Sequence, residues 1–134
     1  MARKLRRMVD TMNANAKRWV EALESGEYKQ TTGNLRKGDG FCCLGVACDL
    51  SGLGKWVSNP SIPIKEYETT YKEDTILPEI VKEWLGMRSH SGYIEGYLES
   101  VPTSLAFLND QGKSFLELAK VIKDYESELF EETK

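Results

Sequence analysis

Leu5, Met8, Val9, Met12, Ala16, Trp19, Val20 and Leu23 recur at steps of three and four, a spacing that gathers apolar side chains on one face of an α-helix. The pattern predicts a long amphipathic helix over 1–26. Ser25 and Gly26 end it, because glycine takes the left-handed conformation that closes a helix. Residues 28–40 (YKQTTGNLRKGDG) break the period, and their glycine, threonine and charge predict a loop or short hairpin. The next stretch, 41–52 (FCCLGVACDLSG), is apolar almost all round. A helix without a polar face must be buried on every side. This segment therefore predicts the central core helix, begun near Asp39 or Gly40 and ended at Gly52. A buried strand over 41–46 fits the same short apolar run.

Between 55 and 75 the period shortens to two. Ile62 alternates with Ile64, and Tyr67, Thr69 and Tyr71 follow, while Pro60 and Pro63 confine the first run to a sheet edge. A small antiparallel sheet is expected here. Pro78 opens a further helix, where its missing N–H costs nothing; Ile80, Val81, Trp84 and Leu85 form the inner face and Gly86 ends it. Residues 87–100 read as a loop from which Tyr93, Ile94, Tyr97 and Leu98 pack back. The last third predicts a helical hairpin. Pro102 enters a short helix carrying Leu105 and Leu108, Gly112 turns the chain, and Ser114 with Glu117 forms a capping box for the final helix. That helix buries Phe115, Leu118, Ala119, Ile122 and Leu129, and its end after Phe130 is expected to fray. The sum is a single compact α+β domain over 1–134, mostly helical, with a small antiparallel sheet or hairpin and a C-terminal helical hairpin. Its parts are the long helix (1–26), loop plus buried helix (27–52), short strands (53–76) and helices (77–134).

Charge narrows the functional classes. The 134 residues carry a formal charge of -3, which argues against a protein that coats nucleic acid, since that task calls for a basic excess. No apolar run approaches the roughly 18 residues of a membrane span. The first helix is locally basic, with Arg3, Lys4, Arg6, Arg7, Lys17 and Arg18 against Asp10, so it opposes its own dipole unless something anionic meets it. A homodimer through this helix would cover its apolar edge. The polar N-terminus reads as no secretion signal, and the odd set Cys42, Cys43 and Cys48 predicts free thiols in a reducing cytoplasm.

Gly33 and Gly38 stand at the spacing of a P-loop, but Asp39 and Gly40 occupy the places of its lysine and hydroxyl residue. A nucleotide hydrolase of that type is excluded. What the loop retains is charge and backbone amides ahead of a helix, a setting that attracts anions. Lys29, Thr31, Thr32, Asn34, Arg36 and Lys37 are therefore candidate ligand-binding residues, with Trp56 and Tyr93 as stacking rings outside the helix stripes. The alternative is a cysteine-dependent hydrolase, with Cys42 or Cys43 as nucleophile at the helix start and His90, the single histidine, as base. Adjacent cysteines lack the spacing of structural zinc sites. A calcium loop through Gly112 would put Leu118 where a glutamate is required. The acidic second helix of the C-terminal hairpin would repel DNA phosphates. No metal and no cofactor is expected.

Three blocks, 19–30 (WVEALESGEYKQ), 39–50 (DGFCCLGVACDL) and 104–122 (SLAFLNDQGKSFLELAKVI), together resemble the signature of a family of small proteins found in bacteriophage and prophage genomes. The DGFCCLGV core is the specific element, joined by the C-terminal LNDQGKSF block. The resemblance implies context rather than chemistry: a phage-type accessory protein of the host cytoplasm that acts by binding and carries no established catalytic residues. With it, the residues predict a non-enzymatic protein that binds either an anionic small molecule, phosphate-bearing and nucleotide-like, or a host protein. Countering a host defence is one role such a protein would fill.

Overall fold

Asn13 starts the first helix by folding its side chain back, so that Oδ1 accepts a hydrogen bond from the Ala16 amide at 2.8 Å. Helix α1 (Ala14–Ser25) then runs to Gly26, which is left-handed at φ 78°. Its buried stripe is Ala16, Trp19, Val20 and Leu23, half of the apolar positions read from the sequence. The computed structural model describes residues 12–57, 70–72, 77–97 and 101–132. The part of the expected long helix over 1–11, with its basic cluster, lies outside the described residues.

The expected hairpin is present with a third strand added. Strands β1 (Lys29–Gln30), β2 (Arg36–Lys37) and β3 (Gly40–Phe41) form a small sheet in the order β1-β3-β2. β3 runs parallel to β1 and antiparallel to β2. Because Asp39 and Gly40 are used by this turn and strand, they do not begin the next helix. Cys42 caps it instead, its sulfur accepting from the Gly45 amide at 3.4 Å. Strand structure covers Phe41 but not the remainder of 41–46.

Helix α2 (Cys43–Ser51) is the central rod, with every residue from 43 to 48 buried. It touches α1, α3 (Glu79–Leu85) and α4 (Leu105–Asp110), so each side of its apolar cylinder finds a neighbour. The closest approach falls at Gly45. A Cβ there would land on the Leu35 carbonyl, which is already committed to accepting the Cys42 amide at 3.0 Å. Glycine is required at this position by proximity, not by backbone conformation. At the other end of this contact Trp19 crosses from α1 and donates its indole N–H to the Cys43 carbonyl at 2.8 Å.

Among the described residues one polar side chain is buried in the core, Asn109 at the end of α4. Its Oδ1 accepts from the Cys43 amide at 3.2 Å and from Gln30 Nε2 at 2.8 Å, and its Nδ2 donates to the Thr31 carbonyl at 2.8 Å. Gln30 continues the chain of bonds, donating to the Lys113 carbonyl at 2.7 Å and accepting from the Phe115 amide at 3.2 Å. Two amide side chains thus clasp β1, the start of α2, the end of α4 and the start of α5 (Phe115–Asp124).

Strands β4 (Lys55–Val57) and β5 (Thr70–Lys72) pair in parallel, with Trp56 opposite Tyr71. The expected antiparallel pairing of this region is corrected. Parallel strands need a connection of about a dozen residues or more, and 58–69 supply that separation; Pro60, Ile62, Pro63, Ile64, Tyr67 and Thr69 lie outside the described residues. Antiparallel pairing occurs instead between β2 and β3 and between β6 (Tyr93–Ile94) and β7 (Thr103–Ser104). β6 falls where a loop was expected, and Leu98 is outside the described residues. Pro102 precedes β7 rather than entering the helix, and Ser104 caps α4, its Oγ accepting from the Phe107 amide at 3.1 Å.

In α3, Pro78 holds the N-cap position and Val81 and Leu85 are fully buried. Ile80 is turned outward and exposed, because a seven-residue helix presents one narrow face to α2. The carbonyl of Trp84 accepts from the side chains of Asn13 and Asn15, at 3.2 and 3.0 Å, fastening α3 to α1. α5 carries the expected capping box of Ser114 and Glu117. α6 (Glu126–Leu129) follows after Tyr125, and Phe130 is buried edge-on against Trp19. The chain past Phe130 is pinned at Glu131, whose amide donates to the Gly86 carbonyl at 2.8 Å, which corrects the expected fraying at that residue. These elements enclose one core, and the fold is α+β. Among the described residues no helix is long and apolar enough to cross a membrane.

Two substitutions test this account by chemical denaturation. Gly45→Ala forces two backbones apart and is expected to cost at least about 2 kcal/mol. Asn109→Leu keeps the volume but orphans the Cys43 amide and the Thr31 carbonyl, with an expected loss of roughly 3 kcal/mol. Wild-type stability in either variant would contradict the packing described here.

Candidate functional site

The β2–β3 turn, made at Gly38 with φ 61°, sets Arg36 directly across from Phe41. Cross-strand partners lie on the same face of a sheet, and here the pair is a cation on a ring. The Arg36 guanidinium carbon stands 5.4 Å from the Phe41 centroid and 5.5 Å from that of Trp56. Its Nε donates to the Gly38 carbonyl at 3.0 Å, which fixes the plane of the group. The rings beneath pack edge to face, Tyr28 on Phe41 at 5.3 Å and Phe41 on Trp56 at 5.7 Å.

Asp49, on the last turn of α2, ties the outer two rings together. Tyr28 Oη donates to its Oδ2 at 2.9 Å and Trp56 Nε1 to its Oδ1 at 3.3 Å. Partial burial pushes the Tyr28 phenol up to about 12, and the hydrogen bond and charge of Asp49 push in the same direction, since ionising the phenol would place two anions side by side. The result is an ordered surface of three rings with an arginine laid over two of them.

The remaining residues singled out from the sequence are distributed differently. Lys29 forms an exposed ion pair with Asp39 at 3.3 Å, and Lys37 is exposed on the far side of Gly40 from Lys29. Thr31 serves the scaffold through its backbone, its amide donating to the Phe41 carbonyl at 2.8 Å and its carbonyl held by Asn109. Thr32 is exposed and Asn34 half-buried. The backbone amides expected to receive an anion are met by the chain itself: Gly33 N–H donates to Asp110 Oδ1 at 2.7 Å, Cys43 N–H to Asn109 and Gly45 N–H to Cys42. With 42–45 buried, the start of α2 is closed. Tyr93 stands apart from the Arg36 cluster and lines a separate pocket with Ser91, Pro102, Thr103, Ser104 and Phe107.

The thiols are walled in. Cys42, Cys43 and Cys48 are free and buried, and burial raises the pKa of each. A nucleophilic cysteine needs the opposite shift. Cys43 Sγ faces the Leu105 carbonyl at 3.7 Å, while His90 Nε2 is engaged by Glu79 Oε1 at 2.9 Å. Hydrogen bonding to His90 holds the Glu79 carboxyl below its usual range. His90 therefore serves a surface pair at the start of α3, not a thiol. Among the described residues no three His, Cys, Asp or Glu side chains are grouped to hold a metal.

Tyr28, Phe41 and Asp49 were missed from the sequence as site residues. The turn at Gly38 and Asp39 carried the signal for one of them, since a hairpin closed there pairs Arg36 with Phe41. Nothing local marks Tyr28 or Asp49, which are joined only by the packing of α2 beside the sheet. Residues 12–126 match a family model described as a domain of unknown function (DUF8296). No curated protein and no solved structure matches the chain.

Two measurements follow from this geometry. Iodoacetamide is expected to leave all three thiols unmodified in the native state and to label them on unfolding; native labelling of Cys42 or Cys43 would restore the hydrolase reading. In an absorbance titration, with Tyr28→Phe as the reference, the Tyr28 phenol should ionise near 12 and move down in Asp49→Asn. Because the folded value lies above the unfolded value of about 10, its contribution to stability is whole below pH ~10 and is lost as pH rises through the folded value. Stability that holds steady across that window would contradict the Tyr28–Asp49 contact.

Proposed function

We propose, for this chain, which belongs to the DUF8296 family of domains of unknown function, that it is a non-enzymatic accessory protein that docks an acidic segment of a protein partner on the Arg36–Phe41–Trp56 face. The observation that carries this reading is the arginine placed over two rings with its Nε bonded to the Gly38 carbonyl. Among the described residues no carboxylate pairs with its terminal amino groups, which leaves the fork that best matches a carboxylate facing outward. Holding the group in place beforehand removes part of the entropy cost of binding. Arginine, tryptophan and tyrosine are also the residues that most often dominate the energy of protein interfaces.

A protein partner is preferred to a nucleotide because the rings pack edge to face against one another and Arg36 lies over two of them, so a base would find no open slot between them. Lys37 lies on the same strand as Arg36 and adds positive charge beside it, while Lys29 is balanced by Asp39; the added charge favours association with an acidic surface and makes it sensitive to salt. The raised thiol values and the Glu79 partner of His90 support a role without catalysis. The DGFCCLGV and LNDQGKSF blocks support a phage-type setting, in which the partner is a protein of the host cytoplasm and the docking counters a host defence factor.

The test is a titration followed by backbone amide shifts, with an Asp/Glu-rich peptide carrying one aromatic residue and, separately, with ADP. The peptide is expected to move the amides of Arg36, Phe41 and Trp56, to bind less tightly as salt rises, and to lose about tenfold in affinity, roughly 1.4 kcal/mol, in Arg36→Ala. Arg36→Lys, which keeps the charge without the fork, should restore only part of it. No binding of the peptide, or equal binding by Arg36→Ala, overturns the proposal. Binding of ADP at Arg36 without binding of the peptide replaces it with the nucleotide reading.

A further inference from the structure

We propose that the pocket between β6, β7 and α4 is a second binding site, for an uncharged heteroaromatic ring with hydrogen-bond acceptors on its rim. The pocket measures about 370 Å³, within the range typical of small-molecule sites. Two of its walls are aromatic, Tyr93 and Phe107, and these rings are 47% and 55% exposed in a protein that buries Phe115 and Phe130. Rings held at a surface on opposite elements of a pocket are suited to stacking a planar ligand. Pro102 completes the apolar lining.

Among the described residues the polar side chains of the lining are all hydroxyls. Ser91, Tyr93 and Ser104 each bring an O–H, and among the described residues of the lining there is no Lys, Arg, Asp or Glu. Ser104 Oγ already accepts from the Phe107 amide, so its proton remains for a ligand. Thr103 Oγ1 is buried and has no hydrogen-bond partner among the described residues, so the donors open to a ligand are those of Ser91, Tyr93 and Ser104. Hydroxyl donors without a carboxylate or carboxamide suit a ring rich in carbonyl oxygens and ring nitrogens better than a donor-rich sugar. The absence of charge in the lining separates this ligand from the acidic partner of the Arg36 face.

The walls are fixed before any ligand arrives. The first two amides of α4, Leu105 and Ala106, donate back to the carbonyls of Gly92 and Ser91 at 3.0 and 3.2 Å. Gly92 is left-handed at φ 74°, and a Cβ there would meet the Leu105 side chain at 2.7 Å. The Tyr93 amide donates to Ser89 Oγ at 2.8 Å. The turn before β6 and the start of α4 are therefore locked together with Tyr93 on one side and Phe107 on the other, which limits the ordering cost of binding.

Saturation-transfer and amide-shift NMR with the full chain, using uridine and adenosine as uncharged probes and glucose as a control, tests the assignment. At least one nucleoside is expected to receive saturation and to shift the amides of Gly92, Tyr93, Ser104 and Phe107, with glucose inactive. Phe107→Ala, a surface change whose folding is checked by circular dichroism, should weaken binding about tenfold, the scale of one lost stacking contact. Tyr93→Ala should do the same, and Arg36→Ala should leave nucleoside binding unchanged. The proposal is overturned if neither nucleoside binds, if glucose binds as well as they do, or if both ring variants bind like the wild type. Loss of nucleoside binding in Arg36→Ala would move the ligand to the other face.

Discussion

A central helix that is apolar on every side can be held only by neighbours that cover all of it and satisfy the polar groups at its start. In this protein the second requirement falls on Asn109. Burying an amide is costly unless each of its hydrogen-bonding groups is used, and Asn109 meets that condition with the Cys43 amide, Gln30 and the Thr31 carbonyl. The same bonds join segments 66 to 79 residues apart, so the position of the loop ahead of α2 and that of the C-terminal helices are one problem with one solution.

The surface chemistry follows from that closure. Once the amides at the start of α2 are occupied from within, the loop before it cannot cradle an anion against them, and its charged side chains are left to act outward. The β2–β3 turn then decides which of them is ordered. Arg36 is laid on Phe41 and Trp56, Lys29 is partnered by Asp39, and Lys37 is exposed. The close contact at Gly45 has a parallel consequence for the thiols. By drawing α2 against the Leu35 backbone it buries Cys42 and Cys43, and the low polarity around them holds both protonated.

The two proposed sites divide along chemical lines. One is a charged arginine over rings packed edge to face, built on the sheet beside α2. The other is a neutral, hydroxyl-lined pocket built where α4 begins. They share no side chain, and their supports differ: hairpin register fixes the first, while the locked turn at Gly92 fixes the second.

Local sequence patterns located the helices. The stripe through Trp19 and Leu23, the all-apolar run of α2, the capping box at Ser114 and the stops at Gly26, Gly52 and Gly86 are local patterns, and local patterns are written in sequence spacing. Cys42 as a cap, the parallel pairing of β4 with β5, the outward turn of Ile80 and the strand at 93–94 were not legible, because each depends on which distant segment arrives beside it. The candidate site shows the same division. Residue type and a glycine-rich turn pointed to Arg36 and Trp56, whereas Tyr28, Phe41 and Asp49 joined them only when α2 packed beside the sheet. The separation of Tyr93 from that group, and the filling of the amides before α2 by Asn109 and Asp110, were likewise decided by tertiary structure: hydrogen bonds between groups 66 to 78 residues apart leave no periodic trace along the chain.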